Sequence, residues 1–165
     1  VGFLVVAEIA RRFGTGRPKS RFRGEVVEAD LEGESVLLLS PVTYMNRSGA
    51  SVVAARDYYK LENQQLLVIC DDINLPLAKL RFRPGGSSGG QKGLADVIQS
   101  LGTEEFARLR IGIGAPPEGW EATGFVLGKF TPEENLRIDS AVQLAAEAAV
   151  VWAHDGIQRC MNQYN

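Results

Sequence analysis

Leu66-Leu67-Val68-Ile69-Cys70-Asp71-Asp72 is the stretch that decides the fold. An unbroken apolar run of strand length suits a strand buried on both faces of a central sheet. The two carboxylates follow at its carboxyl end, where open α/β sheets gather their ligands. An acid there can orient a general base, bind a metal or cap the next loop, and Asp72 or Asn74 serves that loop equally well.

Outward from this run, strands and helices interleave. Gly24–Asp30 and Ser35–Leu39 read as strands joined around Glu32-Gly33-Glu34, a hairpin. Lys79–Arg83 alternates with period two, and Leu109–Ile113 reads as a further strand. Phe3, Val6, Ala7 and Ala10 recur at helical spacing, widened by Ile9 and Phe13 and stopped by Gly14. Ser48 to Tyr59 and Leu94–Leu101 are helical. Thr131-Pro132-Glu133-Glu134 combines a capping hydroxyl, an early proline and a glutamate at the third position; its helix runs past His154 to a stop at Gly156. Without repeats or a linker, the pattern predicts a single three-layer α/β/α domain over residues 1–165, built on a mixed, mostly parallel twisted sheet.

The 165 residues suffice for a core without disulfides or metals, and 45% apolar with 23% charged residues is globular composition. A net charge of −2 excludes a generally basic nucleic-acid coater. Charge is unevenly spread, however. Arg11, Arg12, Arg17, Lys19, Arg21 and Arg23 form a basic stretch, whereas acids accumulate in the last third. Cys70, Cys160 and His154 are too few for zinc or a disulfide framework, so no metal or cofactor is expected and a reducing cytoplasm fits. No apolar run approaches the ~20 residues of a membrane span. The opening Val1–Ala7 is broken by Glu8, with its basic residues on the wrong side for a signal peptide.

Two loops carry candidate chemistry. Five glycines and two serines between Pro84 and Leu94 lead into a helix start, an arrangement able to receive an anion. Lys79, Arg81 and Arg83 precede this loop, Lys92 lies in it, and Arg108 and Arg110 follow it, which points to a phosphate-bearing partner or a solvated basic edge. Pro41 to Gly49 offers Asn46, whose amide can both donate and accept, and Tyr44, whose ring can stack on a ribose or base; Ser48 reads as a helix cap. Gly86-Ser87-Ser88-Gly89-Gly90 formally satisfies G-x-S-x-G, but Arg-Pro rather than an apolar strand leads towards it, which argues against a serine nucleophile at Ser88 with His154 as base.

In order and spacing, these pieces resemble the bacterial peptidyl-tRNA hydrolase family. The resemblance runs through Ser40–Gly49, Leu67–Pro76, Gly85–Leu94, Phe106–Gly114 and Gly124–Phe130, covering essentially the whole chain. It implies a monomeric, cytoplasmic, metal-free enzyme that hydrolyses the ester between a peptide and the tRNA 3′ ribose. Asp71 matches the aspartate that orients a histidine base, Asn46 a substrate-positioning asparagine, and Tyr44 the neighbouring tRNA contact. Arg83 and Arg110 match basic residues set against a tRNA phosphate; the stretch with Lys19 and Arg21 matches no family contact. Gln91-Lys92 stands where the family has His-Asn, so Lys92 brings donors only. The family's first strand and catalytic histidine lie upstream of the position matched by Val1-Gly2-Phe3 and are expected to be missing from the chain, leaving it inactive alone. The alternative is a non-catalytic RNA-binding relative of the same fold.

Overall fold

The computed structural model describes residues 1–43 and 47–165; the expected site residues Tyr44 and Asn46 lie outside the described residues. Helix α1 (Gly2–Phe13) is followed by strands β1 (Lys19–Arg21), β2 (Gly24–Leu31) and β3 (Glu34–Pro41). Helix α2 (Ser48–Tyr59) leads to β4 (Leu67–Asp72), β5 (Leu80–Arg83), α3 (Lys92–Leu101) and β6 (Ala107–Gly112). The short α4 (Ala122–Val126) and the long α5 (Pro132–Tyr164) come last.

The strands form two three-stranded sheets, β1-β2-β3 and β4-β6-β5. This corrects the expectation of a mostly parallel sheet: among the described residues β4 with β6 is the one parallel pairing. Connection length explains it. Only two residues join β1 to β2, where Arg21 pairs with Gly24, and two join β2 to β3, where Leu31 pairs with Glu34. Such turns allow only antiparallel partners, whereas β4 reaches β6 through a crossover that includes α3.

The apolar run on β4 is covered from both sides. Leu67 and Ile69 pack into the core shared with Val5, Ile9 and the alanine-rich face of α5, while Leu66, Val68 and Cys70 pack with Leu94, Val97 and Phe106. Burial pushes the Cys70 thiol up to about 12, with Asp71 adding to the effect. Yet Leu67, Val68 and Ile69 are only partly buried. The reason lies at the strand's edge: β4 pairs with β6 on one side, and β3 pairs with β2 on one side. A cavity of about 730 Å³ is lined by residues 35–39 of β3, by Leu66 and residues 67–71 of β4, and by Val1, Gly2 and Phe3.

That cavity also shifts the inward stripe of α1. Val5 and Ile9 are the buried pair, while Phe3, expected in the core, borders the cavity and is 45% exposed. At the other end the Thr131 capping box forms as expected. Gly156 breaks the helix with φ 82°, but the helix resumes to Tyr164. The resumed turns bring Asn165 to β5, where its side chain accepts from the Phe82 N–H at 2.7 Å and donates to the Phe82 carbonyl at 3.1 Å.

Helices α2 and α3 touch through Gly49, whose N–H donates to Asp96 at 2.7 Å and whose added Cβ would collide with Ser100 and the Asp96 carbonyl. Gly49→Ala is therefore expected to lower stability by about 1–3 kcal/mol, the usual cost of overpacking. Gly124→Ala, with no atom near its Cβ position, should stay within about 0.5 kcal/mol of the parent. Urea denaturation of the two variants checks the contrast.

Candidate active site

Successive strand residues point to opposite faces, and this separates the two carboxylates ending β4. Asp71 lines the cavity and its Oδ1 accepts from Gln91 Nε2 at 3.2 Å. Gln91 is also the N-cap of α3, accepting from the Leu94 N–H at 2.6 Å. One side chain thus fixes the start of α3 against Asp71. Asp72 turns the other way, accepting from the Asn74 N–H at 2.7 Å and pairing with Arg110 at 3.4 Å. Loop capping falls to Asp72, which leaves Asp71 as the carboxylate facing the open volume. Lys92 is exposed at the first position of α3, next to Gln91.

The glycine loop is held from below by arginines. Arg108 has no exposed surface. It donates to the carbonyls of Gly86, Ser87, Glu104 and Phe106, and lies 4.3 Å from the centre of the Phe106 ring. Burial lowers its pKa, and the neighbouring charge of Arg110 lowers it further. Arg110 donates to the Ser87 carbonyl as well as to Asp72, and Asn74 donates to the Gly89 carbonyl at 3.1 Å. Gly86, Gly89 and Gly90 have φ of 123°, 59° and 86°, a path open to glycine.

The β5–β6 register sets Arg81 opposite Arg110 and Arg83 opposite Arg108. Like charges directly across a ladder destabilise it, and among the described residues Asp72 is the one carboxylate within 4 Å of this group. With Arg108 sealed inside, the partly exposed Arg81, Arg83 and Arg110 are the members of this group open to an anion. Half-buried Arg83 donates to the Phe82 carbonyl at 3.2 Å. The sequence marked Arg108 only as part of a basic fringe, and its complete burial gave no sequence signal. Gln91 was visible only as a departure in a motif. His154 Nε2 is 2.7 Å from the Leu31 carbonyl and does not line the cavity, so it does not join Asp71.

The sequence profile of the family described as peptidyl-tRNA hydrolase matches residues 1–165. The chain belongs to that family. It is 47% identical to the peptidyl-tRNA hydrolase of Rhodopirellula baltica, covering all of this chain and 87% of that protein. With the Bacillus cytotoxicus enzyme of the same name it shares 39%, covering all of this chain and 89% of the other. The crystal structure of peptidyl-tRNA hydrolase from Acinetobacter baumannii superposes with a TM-score of 0.91 at 34% identity, covering 99% of this chain and 83% of that one.

Buried carbonyls stripped of their donors cost about 1–3 kcal/mol each. Arg108→Met should accordingly lower stability by at least that amount, while Arg108→Lys should recover part of it. Thermal melting of both variants tests the loop anchor.

Proposed function

We propose that this chain hydrolyses the ester linking a peptide to the 3′ ribose of tRNA, using a histidine base carried on a segment upstream of Val1. Membership of the family over residues 1–165 supports the reaction. The observation that carries the assignment of the site is Asp71, a carboxylate only 9% exposed at the mouth of the glycine loop, with Gln91 on one oxygen and a cavity beside it.

In this reading Asp71 orients an imidazole and stabilises its cationic form as the imidazole takes a proton from water. The resulting hydroxide adds to the ester carbonyl, and the 3′ oxygen leaves with that proton. The Asn46 amide and the Lys92 ammonium position the ester and meet the charge that develops on its oxygen. Arg83 and Arg110 take a tRNA phosphate, and Tyr44 stacks beside it. The mechanism uses no metal, and the enzyme acts as a cytoplasmic monomer.

The cavity supports the placement of the base. Residues of β3 and β4 line it together with residues of α1, α2 and α3. Val1, Gly2, Phe3 and Asp71 line the same cavity, so residues joined to Val1 would lie close to that carboxylate. The histidine within residues 1–165 is held at Leu31 instead.

The test compares turnover of N-acetyl-aminoacyl-tRNA by residues 1–165 and by a version extended upstream through a histidine. A positioned base contributes about 10²–10⁴-fold, so the shorter chain should be slower by that factor. Equal turnover would sink the upstream base, and absence of hydrolysis by both would favour an RNA-binding relative. In the extended version Asp71→Asn should lower kcat more than it weakens tRNA binding, since the amide keeps the size and loses the charge. An unchanged kcat would return Asp71 to a structural role.

A further inference from the structure

We propose that the β1–β2 hairpin and the carboxyl end of α2 form a second RNA-contact surface, which takes a phosphate–ribose stretch of the tRNA part of the substrate. The proposal rests on the tRNA reading above but on none of the residues used there.

The first observation is backbone conformation. The hairpin turn consists of Phe22 and Arg23, with φ of 54° and 56°. Two-residue turns of this hand favour asparagine and glycine, and other residues hold such angles at an energetic cost. The strained positions here carry an aromatic ring and a guanidinium. Ser51 of α2 donates to the Phe22 carbonyl, fastening the turn to the helix.

The second observation is the aromatic cluster. The Arg21 guanidinium lies 4.7 Å from the centre of the Phe22 ring and 4.5 Å from that of Tyr58. Tyr58 meets Tyr59 edge-on at 4.9 Å. Packing explains Arg21, but it does not explain why Tyr58 is left 62% exposed. Further cations lie on the same elements: Lys19 on β1, Arg23 in the turn and Lys60 at the end of α2 are all exposed. Of the nearby acids, Asp57 is paired with Arg56 at 3.0 Å, Glu25 lies on β2 across from Ser20, and Glu28 shares a small hollow with Arg17, Lys19, Arg21 and Tyr59, where the cations outnumber it.

Exposed aromatic rings beside cations suit a nucleic-acid strand, whose bases or riboses stack while its phosphates pair. An acidic peptide would use the cations but leave the rings idle. The location fits the substrate as well. The 12 residues of α2 span about 18 Å, from Ser48, which borders the same cavity as Asp71, to Tyr59. At ~3.4 Å per nucleotide, this is about five steps along a strand.

The experiment follows binding of fluorescently labelled deacylated tRNA across a salt series. It uses the parent chain, Tyr58→Ala, Tyr58→Phe, Lys19→Ala, Arg23→Ala and, for the four-arginine face, Arg83→Ala. Loss of one stacking ring should weaken binding about fivefold or more, and Tyr58→Phe should restore it. Lys19→Ala and Arg23→Ala should each shallow the salt slope by about 0.7–0.9. Parental affinity for Tyr58→Ala, or parental slopes for both cation variants, overturns the proposal. If Arg83→Ala alone shallows the slope, the tRNA reading survives and this surface does not. If the parent fails to bind tRNA, both fall. Polyglutamate displacing tRNA from the parent as well as free tRNA does, charge for charge, would assign the surface to an acidic protein segment and likewise overturn the proposal.

Discussion

A guanidinium buried without an ion-paired carboxylate among the described residues sets the terms for the active face. Removing a cation from water is costly, and Arg108 offsets that cost through carbonyl oxygens and the face of Phe106. Those carbonyls belong to the glycine loop and to the segment entering β6, so the charge can be accommodated only if both close over it. The loop's end then becomes the beginning of α3, and its capping residue, Gln91, reaches Asp71. A burial problem on one strand thereby becomes a geometric constraint on the carboxylate of another.

The neighbouring arginines add tension of a different kind. Cross-strand like-charge pairs oppose folding, and among the described residues Asp72 is the one carboxylate paired with the group. A phosphate would relieve the repulsion. The protein can therefore carry a net charge of −2 and still present a strongly basic local surface. Net charge describes the molecule as a colloid, whereas binding is governed by which charges share a face.

Much of this was legible in the sequence because local rules decide it. The Leu66–Cys70 strand, the hairpin around Glu32-Gly33 and the capping box at Thr131 each follow from a few adjacent residues. The division into two sheets was not legible, since edge pairing depends on partners far away in the chain. The family resemblance singled out Asp71, but local residue pattern could not separate it from Asp72: strand pleat sends the two side chains apart, and the apolar run fixes the strand without fixing which acid faces the cavity. Arg108 and Arg110 look alike in sequence, two residues apart on one strand face. One is sealed beneath the glycine loop and the other is drawn towards Asp72.

Helix α2 shows how these local and distant effects combine. Its sequence has weak amphipathic character, with small residues at Gly49, Ser51 and Ala55 forming its buried side. Small side chains allow α3 to approach closely, and that approach is what lets Gly49 donate to Asp96. The helix is consequently fixed in position by backbone proximity rather than by large apolar anchors, which frees Tyr58 and Tyr59 at its end from service in the core. They stand instead against Arg21 and Phe22 of a turn held in left-handed conformation. Close packing at one end of a helix thus permits an exposed aromatic surface at the other, with the cavity beside Asp71 running between them.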